Sequence, residues 1–127
     1  MAIHVGWKDK SRTIIYCEFD AEWTLDEFHT YIDDIYALVT SVTHPVYLIH
    51  DYTKSRVPPR QWLSAGRHAQ QRQSDNTALS IVVGGNSFVK VMLNIAQSLF
   101  LKNLPIRAVD TLEQAYALIA KHEKVAA

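Results

Sequence analysis

The chain holds a single cysteine, Cys17, in 127 residues. One thiol can close no intrachain disulfide and can build no cysteine-cluster metal site, a pattern that suits a reducing cytosol. There is also no excess of charge, because 13 Lys and Arg stand against 13 Asp and Glu. Dedicated nucleic-acid binders usually carry a basic surplus to neutralise phosphates, so no nucleic-acid partner is expected. Long apolar runs are missing as well. The greasiest stretch, Phe88 to Leu101, is interrupted by Lys90, Asn94, Gln97 and Ser98 and falls short of the ~20 apolar residues of a bilayer crossing. The first residues, Met1 to Asp9, contain no apolar signal core, so a cytoplasmic, non-membrane protein is expected. No linker, low-complexity tract or internal repeat breaks the chain, and its length fits one domain with one core.

What is present is a rhythm. Apolar runs repeatedly end at a polar turn, after which a helical pattern begins. Ile3 to Trp7 and Thr13 to Phe19 read as strands, with Lys8 to Arg12 as the hairpin turn between them. Trp23-Thr24-Leu25-Asp26-Glu27 then announces a helix, since Thr24 and Glu27 have capping-box spacing. Leu25, Phe28, Ile32, Ile35, Val39 and Val42 follow at steps of three and four and form one apolar stripe. His44-Pro45 stops that helix, and Val46 to Ile49 is the next strand, ending at His50-Asp51-Tyr52.

Thr53 to Pro59 reads as a loop, and Arg60 to Gln73 as a helix with a thin stripe of Trp62, Ala65, Gly66 and Ala69. Leu79 to Val83 is a β-branched strand, followed by the turn Gly84-Gly85-Asn86-Ser87 and a helix from Phe88 to the Asn103-Leu104-Pro105 stop. Ile106 to Val109 is a short strand. The last helix starts at Thr111, with Gln114 three residues on, and carries Leu112, Ala115, Tyr116 and Ile119 as its stripe.

The order ββαβαβαβα predicts a single α/β domain. Its sheet should be mainly parallel and five-stranded, with an antiparallel hairpin at the N-terminal edge. If the strands lie in sequential order, right-handed crossovers put every helix on one face. The opposite face, with Leu79, Ile81 and Val83 on one side of the alternation, would then be left apolar and uncovered.

The helix start Trp23 to Phe28, the turn Val83 to Phe88 and the ending Asp110 to Ala115, in this strand order, resemble the SpoIIAA-like (STAS-type) domains of bacteria. The resemblance covers most of the chain. It implies sequentially ordered strands and a role in protein–protein regulation; no catalytic activity and no cofactor are expected. It also implies a phosphorylated serine after the third strand, in an Asp-Ser-Ser-Gly-like motif. The matching region here is Asp51 to Pro59. Asp51, Thr53 and Ser55 are the candidate switch residues, but the motif itself is absent and Pro58-Pro59 occupies the helix start.

Other residues carry weaker chemical signals. Gly84, Gly85, Asn86 and Ser87 lie between a strand and a helix, where free amides can hold an anion. The phosphate-loop lysine is missing, and a tight turn capped by Asn86 or Ser87 explains the same residues. Cys17 sits among apolar residues that raise a thiol pKa, so packing is its expected role. His29 and Asp33 share a helix face, yet two ligands make no metal site. His50 and Asp51 end a strand where ligands gather, but strand neighbours point to opposite faces, which argues against a dyad.

Charge is segregated. Seven acids and no Lys or Arg lie between Glu18 and Asp34, and five bases and no acid lie between Tyr52 and Ser74. Arg60 and Arg67 in the basic stretch, and Phe100 on the wide apolar arc of the helix from Phe88, are the candidate interaction residues for an unidentified protein partner or a second copy. The expected protein is therefore an interaction module forming homo-oligomers, dimers above all. The alternative is a carrier or sensor of a small hydrophobic or anionic ligand.

Overall fold

The computed structural model describes residues 3–55, 74–84 and 106–126. Five strands, β1 (Ile3–Trp7), β2 (Ile14–Phe19), β3 (Val46–Asp51), β4 (Thr77–Val83) and β5 (Ile106–Val109), lie side by side in sequential order. Only β1 is antiparallel to its neighbour, and β2 to β5 are parallel. This is the α/β sheet expected from the chain order. The segments 60–73 and 88–102, read as helices in the sequence, lie outside the described residues. So do Arg60, Arg67, Gly85, Asn86, Ser87 and Phe100.

Helix α1 (Leu25–Thr40) connects β2 to β3. Its start is the capping box seen in the sequence: the Glu27 amide donates to Thr24 Oγ1 at 3.1 Å and the Thr24 amide donates to Glu27 Oε1 at 3.0 Å. These bonds satisfy amides that the first turn leaves without an intrahelical partner. The far end is held from a distance. Asn76 Nδ2, in the turn before β4, donates to the carbonyls of Val39, Val42 and His44. One amide thereby ties the exit of α1 to the start of β4.

Helix α2 (Leu112–Ala126) follows β5. Here too the expected box forms, with the Gln114 amide on Thr111 Oγ1 and the Thr111 amide on Gln114 Oε1, both at 3.1 Å.

The two described helices do not share a face, which corrects the expectation that every helix packs on one side. The core around α1 takes Ile15, Cys17 and Phe19 of β2 with Val46, Leu48 and Val82. The core around α2 takes Tyr47, Ile49, Leu79, Ile81 and Val83 with Ala115 and Ile119. The handedness rule binds only a helix that joins two parallel strands. Helix α2 follows the edge strand β5 and joins no two strands of the described sheet, so the rule does not hold it to the α1 face. It covers the Leu79-Ile81-Val83 surface that the sequence left open. All six residues of β3 are buried as a result, as expected of a parallel strand packed on both sides.

Phe19 is the hub of the α1 side and is fully buried. Its ring stacks on Tyr52 at 4.1 Å and meets Tyr31 and Trp23 edge-on at 4.9 and 5.4 Å. Cys17 lies in the same layer with no exposed surface, and burial pushes its thiol pKa far up. That is the packing role its apolar neighbours suggested.

Candidate functional site

β3 runs longer than the sequence suggested and carries His50 and Asp51 within the strand. Strand alternation sends them apart. His50 turns towards α1, where Nδ1 bonds the Tyr31 hydroxyl and Nε2 bonds Ser80 Oγ at 2.6 Å. Hydroxyls can donate or accept, so both ring nitrogens of a neutral imidazole are satisfied in either tautomer. The residue is 9% exposed, and burial pushes the imidazole pKa down from 6.5 to about 4. His50 is thus a neutral strut joining α1, β3 and β4. Tyr31 and Ser80 were not singled out in the sequence, although Tyr31 sits three residues after Phe28 on the apolar stripe and Ser80 is a lone hydroxyl in a β-branched strand.

Asp51 turns to the opposite face and organises the loop that follows. Its Oδ1 accepts from the Thr53 amide at 3.0 Å and from the Thr53 hydroxyl at 2.6 Å. Its Oδ2 accepts from the Tyr16 hydroxyl at 2.5 Å. Burial alone would raise the carboxyl pKa. The bonds from Thr53 and Tyr16 outweigh it and hold the group below the ordinary carboxylate range. The same contact, after burial, drives the Tyr16 phenol well above its ordinary value. Asp51 is therefore a charged clasp.

The candidate switch hydroxyls are both engaged. Thr53 is exposed but bonded to Asp51, and Ser55 is half-buried, with its Oγ accepting from Trp23 Nε1 at 2.8 Å. Lys54 between them projects outward and reaches Glu18 Oε1 at 3.3 Å. Gly84, at the end of β4, packs directly on this loop. Its φ is +81°, and a Cβ there would lie 2.8 Å from Thr53 Cγ2 and 3.0 Å from Thr53 Cα. Only glycine accepts that backbone and that approach without strain. The Gly84 amide donates to the Val109 carbonyl at 3.0 Å, so it serves the sheet and not an anion. The sequence brought Asp51, Thr53 and Ser55 forward together and Gly84 apart from them, and the fold packs Gly84 against Thr53.

An open groove of about 460 Å³ runs along His4 to Lys8, with Tyr16, Glu18 and Tyr116 on its other side. Tyr16 stands opposite Gly6 across the strands, and no atom lies within 4 Å of where a Gly6 Cβ would sit. Lys8 Nζ lies 4.6 Å from the centre of the Tyr116 ring.

The acidic stretch of the sequence divides on folding. Glu27 closes the helix cap, Glu18 faces Lys54, and Asp20 meets His4. Asp26 and Asp34 remain beside Ile3 in a small groove of about 180 Å³. His29 is half-buried and Asp33 exposed. Among the described residues there is no cluster of three metal-ligating side chains, and no helix is long and apolar enough to cross a membrane. Comparison with protein-family models, with curated proteins and with solved structures gives no match.

Proposed function

We propose that this chain is a non-enzymatic regulatory module of the SpoIIAA-like, STAS type, acting in the cytoplasm by docking a protein partner at the ends of β3 and β4. The observation that carries this reading is the Asp51 clasp. It gives Asp51 to Ser55 a fixed shape against Gly84 and leaves Lys54 exposed at the tip. The loop stands where the resembled family places its switch. Two further features support recognition over reaction. The imidazole that could serve as a base is sealed, with both nitrogens occupied. The hydroxyls at the loop are spent on holding its form, so docking here relies on shape and charge, without the family's phosphoserine motif.

Arg60, Arg67 and Phe100, which lie outside the described residues, are further candidate contact residues from the sequence. Affinity capture with the full chain tests the reading. A partner held by the native chain should be lost with Lys54→Glu, and lost again with Arg60→Glu/Arg67→Glu. Equal recovery with all three contradicts it.

The groove along β1 favours a second reading, a carrier of a small hydrophobic or anionic ligand. Its wall of Tyr16 and Tyr116, with Lys8 at the rim, suits a molecule with an apolar body and an anionic group. A native mass spectrum of the purified chain separates the two. A bound small molecule that Gly6→Trp displaces supports the carrier, and the bare chain mass supports the module.

A further inference from the structure

β1 is an edge strand among the described residues. The Lys8 amide donates to the Ile14 carbonyl at 2.8 Å. Antiparallel pairs alternate, so Lys8, Gly6 and His4 turn their backbone groups to β2 while Ile3, Val5 and Trp7 turn theirs outward. Among the described residues no strand lies beyond them. Natural edges are usually guarded by a lysine, a proline or a bulge within the strand. β1 has none, and its register with β2 is unbroken from Ile3↔Phe19 to Trp7↔Ile15. The opposite edge differs. On β5, Arg107 is exposed and its guanidinium covers the Ile106 carbonyl at 3.0 Å.

Charge identifies what fits β1. The Ile3 end is acidic on the α1 side, where Asp26, Glu27 and Asp34 lie beside Ile3, while on the other side Glu18 faces Lys54 and Asp20 faces His4. The Trp7 end runs into Lys8, Lys10 and Arg12, three cations against the single carboxylate of Asp9, and so stays net positive. A second copy related by a two-fold axis would lay each basic end over the other copy's acidic end, twice. A parallel arrangement would set like against like.

We propose that the chain forms a two-fold dimer through antiparallel pairing of β1 with β1 of a second copy, centred on Val5. Val5 then faces its own counterpart and Ile3 faces Trp7 of the second copy. The outward amides and carbonyls of all three residues are satisfied on both chains. Val5 and Trp7, half-buried in one copy, lose their remaining exposure to each other's neighbours. The sheet becomes continuous across the pair. No residue of the Asp51 to Ser55 loop takes part, so this dimer stands independently of the regulatory reading.

Sedimentation of the full chain at low salt provides the test. With rising concentration the mass should climb from 14.5 kDa to twice that value, and added salt should weaken the dimer. Val5→Pro removes an outward amide that β2 does not use, and the folded variant should be monomeric. Lys8→Glu/Lys10→Glu changes only exposed side chains and should weaken the dimer at least tenfold or so. Adding Asp26→Lys/Asp34→Lys to that variant should restore it. The proposal is overturned by a native chain that stays at 14.5 kDa at every concentration. A dimer undiminished by the lysine reversals, or weakened by them without rescue, overturns it equally.

Discussion

The two faces of the sheet come from the same strands and behave as two different solvents. On the α1 side, aromatic rings close around Phe19, and the polar group among them, His50, is bonded at both nitrogens. On the α2 side, Tyr47, Ile49, Leu79, Ile81 and Val83 are packed under α2, but Tyr16, Glu18 and Asp51 continue past its cover. Adjacent residues of β3 show the contrast. Burial keeps His50 neutral, whereas hydroxyl and amide donors keep Asp51 charged. Position along a strand thus sets which side of the sheet a group meets, and the side sets its charge. One face is closed by packing, and the other keeps charged and hydroxyl groups near its surface.

The largest expected effect breaks the closed face. Phe19→Ala removes the hub of the aromatic layer and should cost about 4 kcal/mol, read from urea unfolding. Acid attacks the same face more gently. Below pH 6.5 the unfolded chain binds a proton on His50 that the folded chain refuses. Stability should therefore fall as pH drops from 6.5 to about 4, and level off below. The loss from this group should reach about 3 kcal/mol. Unfolding midpoints across that range, compared with those of His50→Gln, isolate its share.

The open face should respond differently. Gly84→Ala forces a left-handed backbone and a clash with Thr53, for a cost of about 2 kcal/mol. Amide exchange should speed up at the Asp51–Thr53 turn while the α1 side stays protected. The smallest effect sharpens the comparison most. Lys54→Glu breaks one exposed ion pair and should change stability by less than about 1 kcal/mol while abolishing partner capture. A loss of capture accompanied by unfolding would erase the distinction between the faces.

Much of the fold could be read from residue spacing. The two capping boxes, the hairpin turn and the parallel strands are local signals, and local hydrogen bonding decides them. The placement of α2 was not legible. It depends on α2 joining no two parallel strands of the described sheet, a fact of topology that no window of residues contains. The site was half legible for the same reason. Asp51 and Gly84 each looked unusual alone, but their contact through Thr53 needs two parallel strand ends in register. Tyr31, Ser80 and Tyr16 carried no motif at all. Their hydroxyls acquire meaning only from the imidazole and carboxylate that the sheet sets beside them.

The division between a sealed face and an open one rests most directly on His50. An NMR titration of the histidine ring signals of the intact chain should show one imidazole that stays neutral until about pH 4. Tyr31→Phe should identify it by shifting its resonance. A His50 ring that titrates near 6.5, like an exposed histidine, would mean that water reaches the α1 side and that the two faces do not differ in kind.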